Sequence, residues 1–232
     1  MRSAHRRWYT ALAISALCVA LAYRLHSPHR PPDEKAASAA EDEVYEAVVR
    51  DMLQGSEHTS QLVFEDSVLT YRTGQPDMES CKESARKTLQ LENGKLPYDS
   101  FADKVYRLLN GEAYDDAVRP EAIQDFLERS CADGPLSRTF HTDLPRTFVA
   151  SGSLHFKDFW PIGAKEKSFE QRFPGASGII SFSHVGFDSR FDAAIVSTSC
   201  VCGGFCGGSE AYALRKLRGR WVVVNKWILW MA

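Results

Sequence analysis

The residues best placed to do chemistry cluster near the C-terminus, in Cys200-Val-Cys202-Gly-Gly-Phe-Cys206-Gly-Gly. Three thiols within seven residues allow three kinds of chemistry. Cys202 and Cys206 could close a small disulfide across a glycine-rich turn, since such a turn brings Cα atoms within the roughly 4.4–6.8 Å a disulfide needs. Three thiolates with His184 as a fourth ligand could hold zinc or copper, but Cys-x-Cys-x3-Cys is not the usual Cys-x2-Cys spacing and no second Cys or His pair follows. Gly204-Phe205-Cys206-Gly207-Gly208 also satisfies a nucleophile-elbow pattern. An elbow needs a strand before it, a helix after it and a downstream His. No His follows His184, and Ala211 to Leu217 reads as a strand, so a thiol enzyme using Cys206 would need His184 or His155 recruited from elsewhere in the fold. The structural disulfide, with no metal and no cofactor, is the leading reading.

His184 is the other candidate. By strand alternation it shares a face with Ile180 and Phe182, where a histidine is more often a core residue than a catalyst. Asp188, Arg190 and Asp192 fall at a turn, where charges are usually solvated. Phe156, Phe159 and Trp160 read as core or sheet cover. There is no Gly-rich phosphate loop, His-Glu-x-x-His or paired-carboxylate motif.

The elements that must position these residues change character along the chain. Val44, Val48 and Met52 recur every fourth residue, with Gly55 at a helix end. Leu62 to Tyr71 reads as a strand, broken at Asp66. Helical faces follow at Cys81, Ala85 and Leu89, at Phe101 to Leu109 behind a Ser100/Asp103 capping box, and at Ile123, Phe126 and Leu127 behind Pro120. Phe169 and Phe173 mark a short helix ended by Pro174-Gly175. Four strands then follow: Gly178 to Val185, Asp192 to Cys200, Glu210 to Leu217, and Trp221 to Trp230, the last two joined at Arg218-Gly219-Arg220. The fold class expected is α+β: an N-terminal membrane-targeting helix, several helices, then a curved antiparallel β-meander. The final strand is apolar on both faces, which predicts a central, covered position and buried Trp221, Trp227 and Trp230.

The 232 residues are 44% hydrophobic and 25% charged, ordinary for a folded domain. The formal charge is −2, but the first thirty residues carry five arginines and no acid, so the rest holds 23 basic against 30 acidic residues. An acidic body argues against nucleic acid as a partner. Arg2, Arg6 and Arg7 precede an uncharged run from Trp8 to Tyr23. It reads as a signal anchor or a signal peptide over residues 1–25, the anchor slightly favoured, which makes the membrane a partner through this segment. Residues 26–41 read as a flexible tether and 42–232 as one domain. Export places the body in an oxidising space, periplasm or cell surface, or secreted after cleavage. With Cys18 in the export segment, five cysteines remain outside it, an odd number. Cys81 and Cys131 each extend a helical stripe. They read as two small core residues, the alternative being a disulfide between helices.

One resemblance emerges from the C-terminal quarter. Phe173-Pro174-Gly175, Gly178-Ile179-Ile180, Phe182-Ser183-His184-Val185-Gly186-Phe187, Ala193 to Val196, Cys202-Gly203-Gly204, Tyr212, and Gly219 before Trp221-Val222-Val223 resemble a motif of exported bacterial proteins of unknown function. Members often carry Arg where this chain has His184. The likeness implies an exported α+β domain and no particular activity. Helices followed by a meander ending in Gly-Arg-Trp-Val-Val also resemble the cone-shaped NTF2-like fold, which hosts binding proteins and enzymes alike. Together these readings give an exported cell-envelope domain that binds a ligand or partner without catalysis, the rival being the thiol enzyme.

Overall fold

The computed structural model describes residues 34–54, 58–70, 77–83, 119–154, 156–159, 167–203 and 206–232. The expected export segment and the helical faces at residues 85–89 and 100–111 lie outside them. No helix among the described residues is long and apolar enough to cross a membrane.

Helix α1 spans Glu34–Leu53. It starts eight residues before the expected domain boundary at 42, so the second half of the expected tether is helical. The reason is local: four alanines between 36 and 40, interrupted by Ser38 and flanked by Glu34 and Glu41, favour helix over an extended linker. Val44, Val48 and Met52 lie on its apolar side as expected, with Tyr45 and Val49 beside them. Strand β1 (Gln61–Glu65) breaks at Asp66, and single bridges at Ser67 and Leu69 carry the chain onward. A helical stretch at residues 78–83 holds Cys81. Helix α2 (Pro120–Arg129) opens on its proline, where the missing N–H costs nothing, and buries Ala122, Ile123, Phe126 and Leu127. Strand β2 (Arg146–Val149) and the short helices α3 (Phe156–Phe159) and α4 (Phe169–Arg172) follow. A capping box between Ser168 and Gln171 starts α4.

The remaining strands are β3 (Ala176–Phe182), β4 (Gly186–Phe187), β5 (Ala193–Gly203), β6 (Cys206–Leu217) and β7 (Arg220–Met231). They build a seven-stranded sheet in the order β2-β1-β3-β5-β6-β7, with β4 paired to β5. From β3 to β7 the pairing is antiparallel, which is the expected meander. The sheet as a whole is mixed, because β1 runs parallel to both β2 and β3. The β6–β7 hairpin turns on Arg218 and Gly219, both at positive φ, the left-handed pair that a two-residue loop between twisted strands requires.

The position of β7 corrects the sequence reading. It is the edge strand, paired to β6 alone among the described strands. Trp221 is buried and Val223 packs on the core, but Trp230 is 42% and Ile228 57% exposed. Apolar residues on both faces indicated burial on both faces. Instead, one face of the strand is open to solvent along its length: Trp221 is buried and Val223, Trp227 and Leu229 are half-buried, while Val222, Val224, Ile228 and Trp230 on the other face are exposed.

The main core lies between α1 and one face of the sheet. Tyr45, Phe64, Phe140 and Phe182 are fully buried there, with ring centroids 4.8 Å apart for Tyr45–Phe182 and 5.3 Å for Phe64–Phe140. Burying each ring contributes roughly 1.5–3 kcal/mol. Val63 and Ile179 point to the opposite face and pack with Phe169 and Phe173. Helix α2 meets the sheet at β4, where Gly186 sits against Ala122 and Phe126 so closely that a Cβ would collide with both the helix backbone and the Phe126 side chain. Cys81 and Cys131 are at disulfide distance, with Cα atoms 5.8 Å apart. The expectation of two separate core thiols is therefore overturned. Cys131 lies two residues beyond the end of α2, close enough for the helical stretch carrying Cys81 to meet it.

Candidate functional site

The face of the sheet opposite α1 carries a cavity of about 390 Å³. Its floor follows from the register. Ile179 pairs with Val201 and Ser181 with Ser199 across β3 and β5, giving one apolar row and one polar row side by side. Glu65 ends β1 next to the polar row, and Ser181 Oγ donates to its Oε2 at 2.7 Å. The backbone N–H of Gly152, after β2, reaches Glu65 Oε1 at 3.3 Å. Leu69, Leu154 and Phe159 form the walls. Phe159 stacks on Phe169 at 4.9 Å, and Phe169 in turn lies 5.2 Å from Phe173, so this wall is braced. A second cavity of the same volume shares Phe159 and is bordered by His58, Glu170, Ser177 and Cys202.

The cysteine loop lies along the same edge. Cys202 and Cys206 are at disulfide distance across the β5–β6 hairpin, Cα–Cα 5.1 Å, beside the pair Gly203–Cys206. Cys206 therefore presents no thiolate. Cys200 is the free cysteine among the described residues, and burial, with help from Glu210, pushes its thiol up, away from reactivity. Gly178 makes room for this strand: a Cβ there would meet the Val201 carbonyl, Cys200 Sγ and Cys202 Cβ. Among the described residues no group of three or more His, Cys, Asp and Glu side chains is arranged to hold a metal ion.

His184 follows the end of β3, packed against Gly134 and 3.7 Å from Glu41 Oε1 through its Nδ1, which has no hydrogen-bond partner. Ile180 and Phe182, its neighbours by alternation, are core residues. Glu41 also pairs with Arg129 at 2.8 Å, and Arg129 donates to the Val185 carbonyl at 2.6 Å. These contacts tie α1, α2 and the segment after β3 together. Tyr45 donates to the Ser183 carbonyl at 3.0 Å, and burial raises its phenol well above the usual range. The structure therefore brings His184 to a structural ion-pair group and joins Cys206 to Cys202. His155 lies outside the described residues.

Asp188 is a further correction, since the sequence reading placed it in solvent. Its side chain is fully buried, paired with Arg119, and accepts the N–H groups of Asp192 and Ala193 at 3.0 Å each. Arg119 also reaches Asp192 at 3.1 Å. The turn charges are thus a clamp between the start of α2 and the β4–β5 turn, with Asp188 shielded from solvent. A buried carboxylate with this many donors holds its turn rigidly. No family model, curated protein or solved structure matches the chain. Its chemistry rests on its own side chains. The residues missed in the sequence are Glu65, Ser181 and Ser199. Each is a polar residue in an apolar strand, a visible signal, but only the pairing register places the three side by side.

Proposed function

We propose that this chain is an exported, envelope-associated α+β domain that binds a small ligand without catalysis, in the cavity over β1, β3 and β5. The observation that carries this reading is the cavity itself: about 390 Å³, with an apolar floor, a braced aromatic wall and a short row of polar groups. Binding sites for small organic ligands have this size and this mix. The two cysteine pairs at disulfide distance support a body outside the cytoplasm, since such bonds persist in oxidising compartments. The basic start and apolar run of residues 1–25 support membrane anchoring over release, and the C-terminal likeness to exported bacterial proteins agrees with it. A thiol enzyme is disfavoured, because Cys206 is bonded and Cys200 is held protonated by burial.

A thermal-shift screen of the oxidised full chain against a chemically varied set of small molecules tests the reading. Stabilisation by some compounds, lost when Ile179→Trp fills the cavity, is the expected result. No stabilisation by any compound, or stabilisation that survives the filled cavity, overturns it. One observation favours a second reading, a protein partner: β7 is an edge strand that exposes Val222, Val224, Ile228 and Trp230. A strand from another protein could extend the sheet there.

A further inference from the structure

We infer that the cavity over β3 and β5 is selective for a primary amine carried on a short apolar body, with Glu65 as its counter-ion; this rests on the ligand-binding reading above. The argument starts from charge. Glu65 contributes a carboxylate to the lining, and no Lys, Arg or His borders this cavity among the described residues. Glu65 makes no ion pair there either; its described partners are the Ser181 hydroxyl and the Gly152 N–H. Those two hydrogen bonds fix one position for each carboxylate oxygen and leave further lone-pair directions open, since an ionised carboxylate offers about four acceptor sites. An ammonium group brings three N–H donors and no acceptor, which is the complement of that unfilled capacity.

Ser199 supplies a second point of recognition. It pairs with Ser181 across the strands, lines the cavity, and its hydroxyl makes no hydrogen bond among the described residues. Ser181 spends its proton on Glu65, so the polar row offers acceptors more than donors. A carboxylate or phosphate ligand would meet the Glu65 charge with no cation among the described lining residues to offset it. A neutral alcohol could donate once to that carboxylate, and would lack both the opposite charge and the two further N–H donors that an ammonium brings. The rest of the ligand is set by the other row: Ile179 and Val201 beneath, with Phe159 as a flat wall held by its stack on Phe169. An aryl or short alkyl body fits those surfaces, and a ring can pack against Phe159.

The test compares three probes of one shape and different charge, 2-phenylethylammonium, 2-phenylethanol and 3-phenylpropanoate, by calorimetric titration of the oxidised full chain. The expected order is ammonium at least about tenfold tighter than alcohol, with the carboxylate weakest. Glu65→Gln, checked for folding by its thermal transition, should weaken the ammonium more than the alcohol and bring the two to within about twofold of each other. Alcohol or carboxylate binding as tightly as the ammonium overturns the amine assignment while leaving ligand binding intact, as does an ammonium affinity indifferent to Glu65→Gln. If Glu65→Gln does not fold, the charge order measured on the wild-type protein decides alone. Absence of binding by all three probes overturns the amine assignment, and a thermal-shift screen in which no compound stabilises the wild-type chain overturns the ligand-binding reading with it.

Discussion

Removing the Cys81–Cys131 bridge should destabilise the domain far more than removing Cys202–Cys206, and the loop lengths say by how much. The first pair is separated by 50 residues and the second by 4. In the chain-entropy description, a loop of the first length restrains the unfolded chain by about 4 kcal/mol at 25 °C and one of the second length by about 2 kcal/mol. The double variant Cys81→Ala/Cys131→Ala should therefore lose about 4 kcal/mol, or about 2 M in the urea midpoint at a slope near 2 kcal/mol per molar. Cys202→Ala/Cys206→Ala should lose about half of that. Alanine is chosen because Cys81 and Cys131 are buried, and a serine hydroxyl there would add its own desolvation cost. The assay is equilibrium urea unfolding followed by circular dichroism, with the slope compared between variants, since an uncrosslinked chain unfolds to a more exposed state and should steepen it. Equal losses in the two double variants, or a larger loss from the short loop, would refute the entropic argument. Native-state reduction gives an independent check: Cys206 is exposed while both cysteines of the long-range pair are buried, so the hairpin bridge should open first on peptide mapping.

Gly186→Ala should cost about 1–3 kcal/mol in thermal or urea unfolding, because the added methyl must push β4 off α2. Asp188→Ala should cost about 2–3 kcal/mol by urea unfolding, since it removes the acceptor of the Asp192 and Ala193 N–H groups and leaves Arg119 with Asp192 as its remaining carboxylate partner. Burial raises the Asp125 carboxyl above its ordinary value, against the opposing N–H of Phe187, so the folded state keeps its proton to higher pH than the unfolded chain does. Stability from this group is complete below the unfolded pKa of about 4 and falls as pH rises through the folded value. Asp125→Asn should thus gain on wild type between pH 4 and pH 7.5 in urea midpoints, and a constant difference across that range would count against the assignment. Trp221→Ala should cost about 3–5 kcal/mol and Trp230→Ala about 1 kcal/mol or less, with acrylamide quenching the second indole more readily than the first.

Local structure was legible wherever one periodicity ran uninterrupted. The fourfold recurrence of Val44, Val48 and Met52 marked α1, and Pro120 with Ile123, Phe126 and Leu127 marked α2. The four C-terminal strands and the Arg218-Gly219 turn were readable from alternation and turn chemistry. What failed was everything that depends on which element lies beside which. Trp227 and Trp230 read as central because composition reports how apolar a strand is, while its neighbours decide how much of it is covered. Asp188 read as solvated because its partner, Arg119, lies 69 residues away. The same limit hid the cavity: Glu65 and Ser181 are 116 residues apart in sequence and 2.7 Å apart in space. The cysteine loop was readable because its geometry is local, and Cys81–Cys131 was not.

The ion pairs Lys216–Glu43 and Lys226–Asp51 join α1 to the last two strands across 173 and 175 residues. The main core uses the same pairing of distant segments, since α1 packs where Trp221 and Val223 close the sheet. A chain emerging N-terminus first therefore carries an apolar helix that Phe64, Phe140 and Phe182 cover only in part until β6 and β7 have arrived. Closing so long a loop is slow and favours late, concerted collapse over stepwise growth. During that interval the half-made domain is a substrate for holding chaperones and proteases. Its yield in the cell should thus depend on how quickly the whole polypeptide is delivered to the compartment where it folds, more than on the stability of the finished product.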